Sequence, residues 1–251
     1  MDFMRQRLGS FTAYISPQAS SVPGIMQILL PDPDVVFLRG DPIPSPWSGI
    51  FTDKRRVRVI DQDYFIKRYN CAGWLYRLKN MVRPSRALRS WHAALRFRDC
   101  GVPTPEPLFC LEERHWGFLG RAYIIFPFFA DGIDLLRLWP QLDPVAQETC
   151  LDRLAVILGH MHVQGVYHGD TNWRNILVRR HENEWRFDLI DLDGCRFMKK
   201  PSKEKAMRDL NHFNRDMDRH QVTPALRNLF YKKWERALMD EETQPAKKGG
   251  R

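Results

Sequence analysis

The chain has 251 residues, 43% of them apolar, which is enough to bury one large core or two small ones and excludes a disordered polymer. Its 39 Lys and Arg against 30 Asp and Glu give a formal charge of +9, a balance that favours a polyanionic partner: nucleotide, phosphorylated glycan, anionic membrane surface or nucleic acid. Five widely spaced cysteines without a Cys-x-x-Cys pair point to reduced thiols rather than a zinc site or a disulfide framework.

Residues 1–34 read as an N-terminal extension. MDFMRQRLGSFTAYIS lacks the apolar core of a secretory signal, and SPQASSVPG is turn-rich before the apolar IMQILL. From about Val35 short strand-like runs follow: DVVFL, then RRVRVI and YFIKRY, the last two forming a hairpin around DQD with Lys67 in its second strand. SRALRSWHAALRFRD spaces Leu88, Trp91 and Leu95 as one helical face, with Ser85 as N-cap and Gly101 as stop. RAYIIFPFFADGIDLLRL reads as a strand, a Gly-containing link and a helix start, the place for a hinge between two lobes. Its apolar run is under half the ~20 residues of a bilayer span, so the protein is expected in the cytosol or on a cytosolic membrane face. Asp143-Pro144 opens a helix whose Leu151, Leu154, Ala155, Leu158 and Met161 share a face and which should stop at Gly165. YHGDTNWRN, the strands NILVRR and RFDLIDLD, a basic and mainly helical C-terminal third, and a tail over residues 241–251 expected to be disordered complete the chain.

YHGDTNWRN places an Asp five residues ahead of an Asn, between a helix and a strand. Phosphoryl transfer needs a carboxylate on the acceptor hydroxyl, an Asn and an Asp for Mg²⁺, and a Lys for the nucleotide phosphates. Lys67, Asp170, Asn175 and then Asp191 or Asp193 supply those types in a kinase's order.

These segments resemble the lipopolysaccharide-core sugar kinases, the heptose and 3-deoxy-manno-octulosonic acid kinases of the protein-kinase-like superfamily. The likeness rests on YHGDTNWRNILV, FDLIDLDGCRF, YFIKRY, RPSRALRSWHAALRFRDCGVPTPEPL and RDLNHF, and spans roughly residues 56–213. It implies an α+β, two-lobed fold with an N-terminal extension (1–34), a small β-rich N-lobe (35–127) and a mainly helical C-lobe (128–240). It makes Asp170 the catalytic carboxylate, Lys67 the lysine on the phosphates of ATP, and Asn175 and Asp191 the Mg²⁺ ligands, with Asp193 in reserve. His168 is implied to be structural, and Asp209 to tie a helix to the loop. Asn172 is a candidate for contact with substrate or the transferring phosphate, and Trp173 suits packing in the core as well as contact with a sugar. The implied acceptor is a sugar hydroxyl, heptose first, of the lipopolysaccharide inner core or its lipid-linked precursor, met at the inner-membrane surface; nucleic acid is not expected.

The sequence departs from that pattern in three places. Ser90 stands where relatives have the Glu that pairs with the lysine, SPWSGIF offers a single glycine for a phosphate-covering loop, and Gly169 replaces the Arg of His-Arg-Asp. A kinase of another small molecule or of protein, and a nucleotide-binding pseudokinase scaffold, are the alternative readings.

Overall fold

Strict alternation of side chains explains how the first half of the chain builds a sheet that is buried on both faces. The computed structural model describes residues 3–21, 32–44, 48–49, 51–59, 61–71, 73–181 and 184–242. It divides into two units, one of residues 1–95 with 105–130, the other of 96–104 with 131–251. The first unit holds β1 (Met4–Leu8), β2 (Phe11–Ile15), α1 (Pro33–Leu38), β3 (Asp41–Pro42), β4 (Thr52–Val59), β5 (Gln62–Tyr69), α2 (Gly73–Lys79), the larger part of α3 (Arg86–Asp99), β6 (Phe109–His115) and β7 (Phe118–Pro127). Its seven strands run in the order β1-β2-β6-β7-β5-β4-β3, with every neighbouring pair antiparallel. On one face Ala13, Ile15, Val57, Ile66, Phe109, Leu111, Tyr123 and Ile125 pack with Val36 and Phe37 of α1. On the other, Tyr14, Tyr69, Cys110, Ala122 and Ile124 pack against Ala87, Leu88, Trp91 and Leu95 of α3.

Two expectations are corrected here. Residues 4–8 and 11–15 are not set apart from the β-rich unit: they are two strands of its sheet, β2 pairing directly with β6. DVVFL is a helix, not a strand, because Asp32 caps it by accepting from Asp34 N (3.0 Å) and Pro33 occupies its first turn. The same Asp-Pro signal opens the helix at 144. IMQILL, most of SPWSGIF and residues 243–251 lie outside the described residues.

The second unit holds β8 (Ile133–Asp134), α4 (Leu135–Leu138), α5 (Pro144–Val163), β9 (Val166–Tyr167), β10 (Ile176–His181), β11 (Glu184–Leu189), β12 (Arg196–Phe197), α6 (Lys203–Arg219) and α7 (Pro224–Glu242). Its strands form the small sheets β11-β10-β8 and β12-β9. Asp143 caps α5 through Ala146 N at 2.8 Å, and the apolar face expected for this helix is buried along its length. Gly165, at φ +68°, ends it. All five cysteines are free thiols. No helix among the described residues is long and apolar enough to cross a membrane.

Candidate active site

The loop between β9 and β10 takes its shape from α6. Asp209, on the buried side of that helix, accepts from the main-chain N–H of His168 (2.8 Å) and of Gly169 (2.6 Å), and Thr171 Oγ1 donates to its carbonyl. Trp234 Nε1 donates to His162 Nδ1 (3.0 Å), which leaves the ring's proton on Nε2, and that atom donates to Asp209 at 3.1 Å. Burial opposes ionisation of Asp209, but the bond from His162, the nearby imidazoles and the Gly169 N–H outweigh it and hold the carboxyl below its ordinary range. Two turns further along α6, Asp216 accepts from Trp173 N at 2.8 Å. Two buried carboxylates thus fix the loop at both ends.

His168 is a structural residue. Its Nε2 donates to Ile190 O (3.0 Å), so its Nδ1 is the acceptor for Asp170 N (3.3 Å). Gly169, at φ +84°, is required on two counts: the left-handed backbone, and a Gly194 carbonyl that would lie 2.9 Å from any Cβ. An Arg at this position would have no room here.

Asp170 is half exposed, and three groups orient its carboxylate. Asn172 Nδ2 donates to Oδ1 (2.8 Å), Asn175 Nδ2 to Oδ2 (3.1 Å) and to the Asp170 carbonyl (3.0 Å), and His212 Nδ1 lies 3.2 Å from Oδ1. Asn175 thereby commits its amide nitrogen, so its Oδ1 is the atom a hard cation would take. Ile190 N donates to Asn175 O at 2.9 Å, which brings the end of β11 to the same place. Asp191 follows in the left-handed region (φ +67°, ψ +54°), a conformation that costs a non-glycine residue about 1 kcal/mol or more and is found at functional sites. The expectation that Asp191 and Asp193 share the face of one strand is corrected: β11 ends at Leu189, and Asp193 sits in the 3-10 turn 192–194.

Trp173 is wholly buried against Trp139, Phe213 and the His220 ring, so core packing occupies it. Asn172 is engaged with Asp170 and caps the following turn through Arg174 N. His212 was missed by sequence reasoning. Its signal is spacing: Asp209, His212 and Asp216 lie three and four residues apart, so the helix face that reaches the loop through Asp209 also presents His212.

Lys67 lies in the other unit, and its seat differs. It is 5% exposed on β5, with Nζ 4.8 Å from the centre of the Tyr69 ring. Tyr69 OH pairs with Ser90 Oγ (3.1 Å), so a neutral hydroxyl pair stands where the sequence lacks the usual Glu. Arg68 points the opposite way, as strand alternation requires. It pairs with Asp34 (3.1 Å) and Asp53 (3.0 Å), which removes it as a rival for Lys67. Among the described residues no group of three or more His, Cys, Asp or Glu forms a metal cluster. A cation held by one amide oxygen, one carboxylate and a substrate's phosphates does not need one.

Comparisons with known proteins point to one family. A profile described as "Lipopolysaccharide kinase (Kdo/WaaP) family" matches residues 47–234. The chain is 25% identical over 114 residues to a 3-deoxy-D-manno-octulosonic acid kinase of Mannheimia succiniciproducens, covering 45% of this chain and 47% of that protein. It is 28% identical over 111 residues to the kinase of the same name from Vibrio vulnificus (44% of each chain), and 26% over 139 residues to that of Haemophilus influenzae (55% and 56%). The chain thus spans about half the length of these relatives. A solved structure titled "WaaP in complex with acyl carrier protein" superposes with a TM-score of 0.64 over 85% of this chain and 87% of that one, at 18% identity. At that identity the likeness shows a shared kinase-like α+β fold.

Proposed function

This chain belongs to the lipopolysaccharide kinase (Kdo/WaaP) family, and we propose that it transfers the γ-phosphoryl group of ATP to a sugar hydroxyl of the lipopolysaccharide core. The observation that carries the reading is the Asp170–Asn175 pair: a half-exposed carboxylate, oriented by two amides and an imidazole, in a loop anchored by Asp209. Intact Asp170, Asn175 and Asp191 argue against a pseudokinase.

Asp170 orients the acceptor hydroxyl and takes its proton as the new O–P bond forms. The bond from the γ-phosphorus to its bridging oxygen breaks, and ADP leaves with the electron pair. Asn175 Oδ1 and Asp191 would hold Mg²⁺, with Asp193 next in line; their oxygen donors suit a hard cation, which when bound neutralises charge on the phosphates. Lys67 binds phosphate oxygens of ATP. The sequence favours heptose as acceptor, whereas the names of the three relatives favour 3-deoxy-D-manno-octulosonic acid. Work at the inner-membrane surface, on the core or its lipid-linked precursor, follows from the acceptor.

The test is transfer of labelled γ-phosphate to de-acylated core oligosaccharides ending in either sugar, with and without Mg²⁺. Mg²⁺-dependent labelling of one of them, abolished by Asp170→Asn, is the expected result. ATP binding without transfer to either sugar would overturn the reading.

A further inference from the structure

Between Asp63 and Asp99 the sequence has no acidic residue and nine Lys or Arg. Lys67 and α3 account for part of this run; the segment between them is otherwise unexplained. In α2, Trp74 and Leu78 are four apart and therefore on one face, and both are exposed, Trp74 at 71%. Just beyond the helix Val82 is 93% exposed, and at the tip of the β6–β7 hairpin Trp116 is 96% exposed with Phe118 beside it.

These side chains form one patch rather than scattered surface residues, because Arg114 stitches the two segments together. Its guanidinium donates to the carbonyls of Met81 (2.7 Å) and Arg83 (2.6 Å) on one side and of Gly117 (3.1 Å) on the other. Cys71 Sγ, donating to Gly120 O at 2.7 Å, fixes the start of α2 beside β7. Trp116 also holds the left-handed backbone at φ +54°, a costly conformation for a bulky residue that its exposed ring does nothing to offset through packing. Arg77 and Arg83 are exposed at this patch. The acids beneath it on β6 are buried and paired, Glu112 with Arg114 (2.9 Å) and Glu113 with Arg121 (2.8 Å), so the outward charge is positive.

Large exposed indoles rimmed by arginines match the chemistry of a bilayer interface, where aromatic rings sit among headgroups and cations meet lipid phosphates. We propose that this patch is the surface through which the protein docks on an anionic lipid bilayer, with Trp74 and Trp116 seated among the headgroups and Arg77 and Arg83 on lipid phosphates. The assignment rests on the membrane-surface part of the preceding reading and names the surface responsible.

The full-length protein is sedimented with vesicles of phosphatidylcholine alone or mixed with phosphatidylglycerol. The expected result is partitioning onto the anionic vesicles that weakens about fivefold for each of Arg77→Gln and Arg83→Gln, in keeping with the contribution of a cation near an anionic surface. Trp74→Ser with Trp116→Ser should reduce it roughly tenfold or more while leaving the melting temperature unchanged, since both rings are exposed. A doubly substituted protein that binds anionic vesicles as the wild type does would overturn the patch and leave membrane binding to another surface. A wild type that ignores anionic vesicles would overturn both. A dimer in gel filtration that the Trp substitutions dissolve would identify the patch as a self-association surface and overturn the proposal.

Discussion

Around Asp170 the main-chain N–H groups of His168, Gly169 and Trp173 all run to buried carboxylates of α6, whereas Lys67 rests on the ring of Tyr69 in a stretch without acids. Hydrogen bonds to a charged acceptor contribute about 1.5–3 kcal/mol each, and a cation over an aromatic ring about 0.5–2 kcal/mol. The loop around Asp170 is therefore held by anions that must stay ionised, while one of the contacts of Lys67 is with an aromatic face. In the proposed reaction a carboxylate that takes a proton needs a fixed direction, whereas a lysine that meets phosphates does so as a point charge.

Substitutions at five positions break or sharpen this contrast, the largest expected effect first. Asp170→Asn keeps the shape of the loop and removes the proton acceptor, so kcat should fall by about 10²–10⁴ with an unchanged melting temperature. Retention of full activity would end the assignment. Asp209→Ala strands the donors of His168, Gly169 and His162, each worth about 1–3 kcal/mol when buried and unpaired, and should cost roughly 3 kcal/mol in urea unfolding after relaxation. The pH dependence has a definite sign. The carboxyl of Asp209 lies below its ordinary value of 3.8 in the folded state, so its stabilisation is complete above pH 3.8 and is lost as pH falls through the lower folded value. Acid unfolding of Asp209→Asn should lack that component.

Lys67→Met should raise the KM for ATP by about 10- to 100-fold, the worth of a charged contact to phosphate, and do little to stability. Ser90→Glu sharpens the comparison by placing an acid beside Tyr69; if ATP binding does not require a Glu at this position, ATP affinity will change by no more than a few-fold. His212→Ala removes one of three groups on the Asp170 carboxylate, so kcat should drop by about 3- to 10-fold without a change in KM for ATP, and His212→Gln should recover part of it. Identical kcat values for wild type and His212→Ala would reduce His212 to a bystander.

Local rules made much of this legible in the sequence. The capping of α3 by Ser85, the start of α5 at Asp143-Pro144, the β4–β5 hairpin and the separation of Lys67 from Arg68 all follow from spacing and alternation. So does the pairing of Asp170 with Asn175 across one turn of loop. DVVFL escaped because five apolar-rich residues fit a strand as well as a helix, and the cap that decides between them lies outside the run, at Asp32.

What the sequence determined by itself was the order of the candidate catalytic residues along the chain and most of the local conformations, because caps, turns and periodicity act over a few residues. Tertiary structure alone decided which distant groups complete each part: β1 and β2 joining β6, Ser90 meeting Tyr69, Asp209 gathering His162 and the loop, and His212 reaching Asp170. Those contacts join residues from about 20 to about 100 positions apart, and only the packing of sheet on helix and helix on loop brings them together.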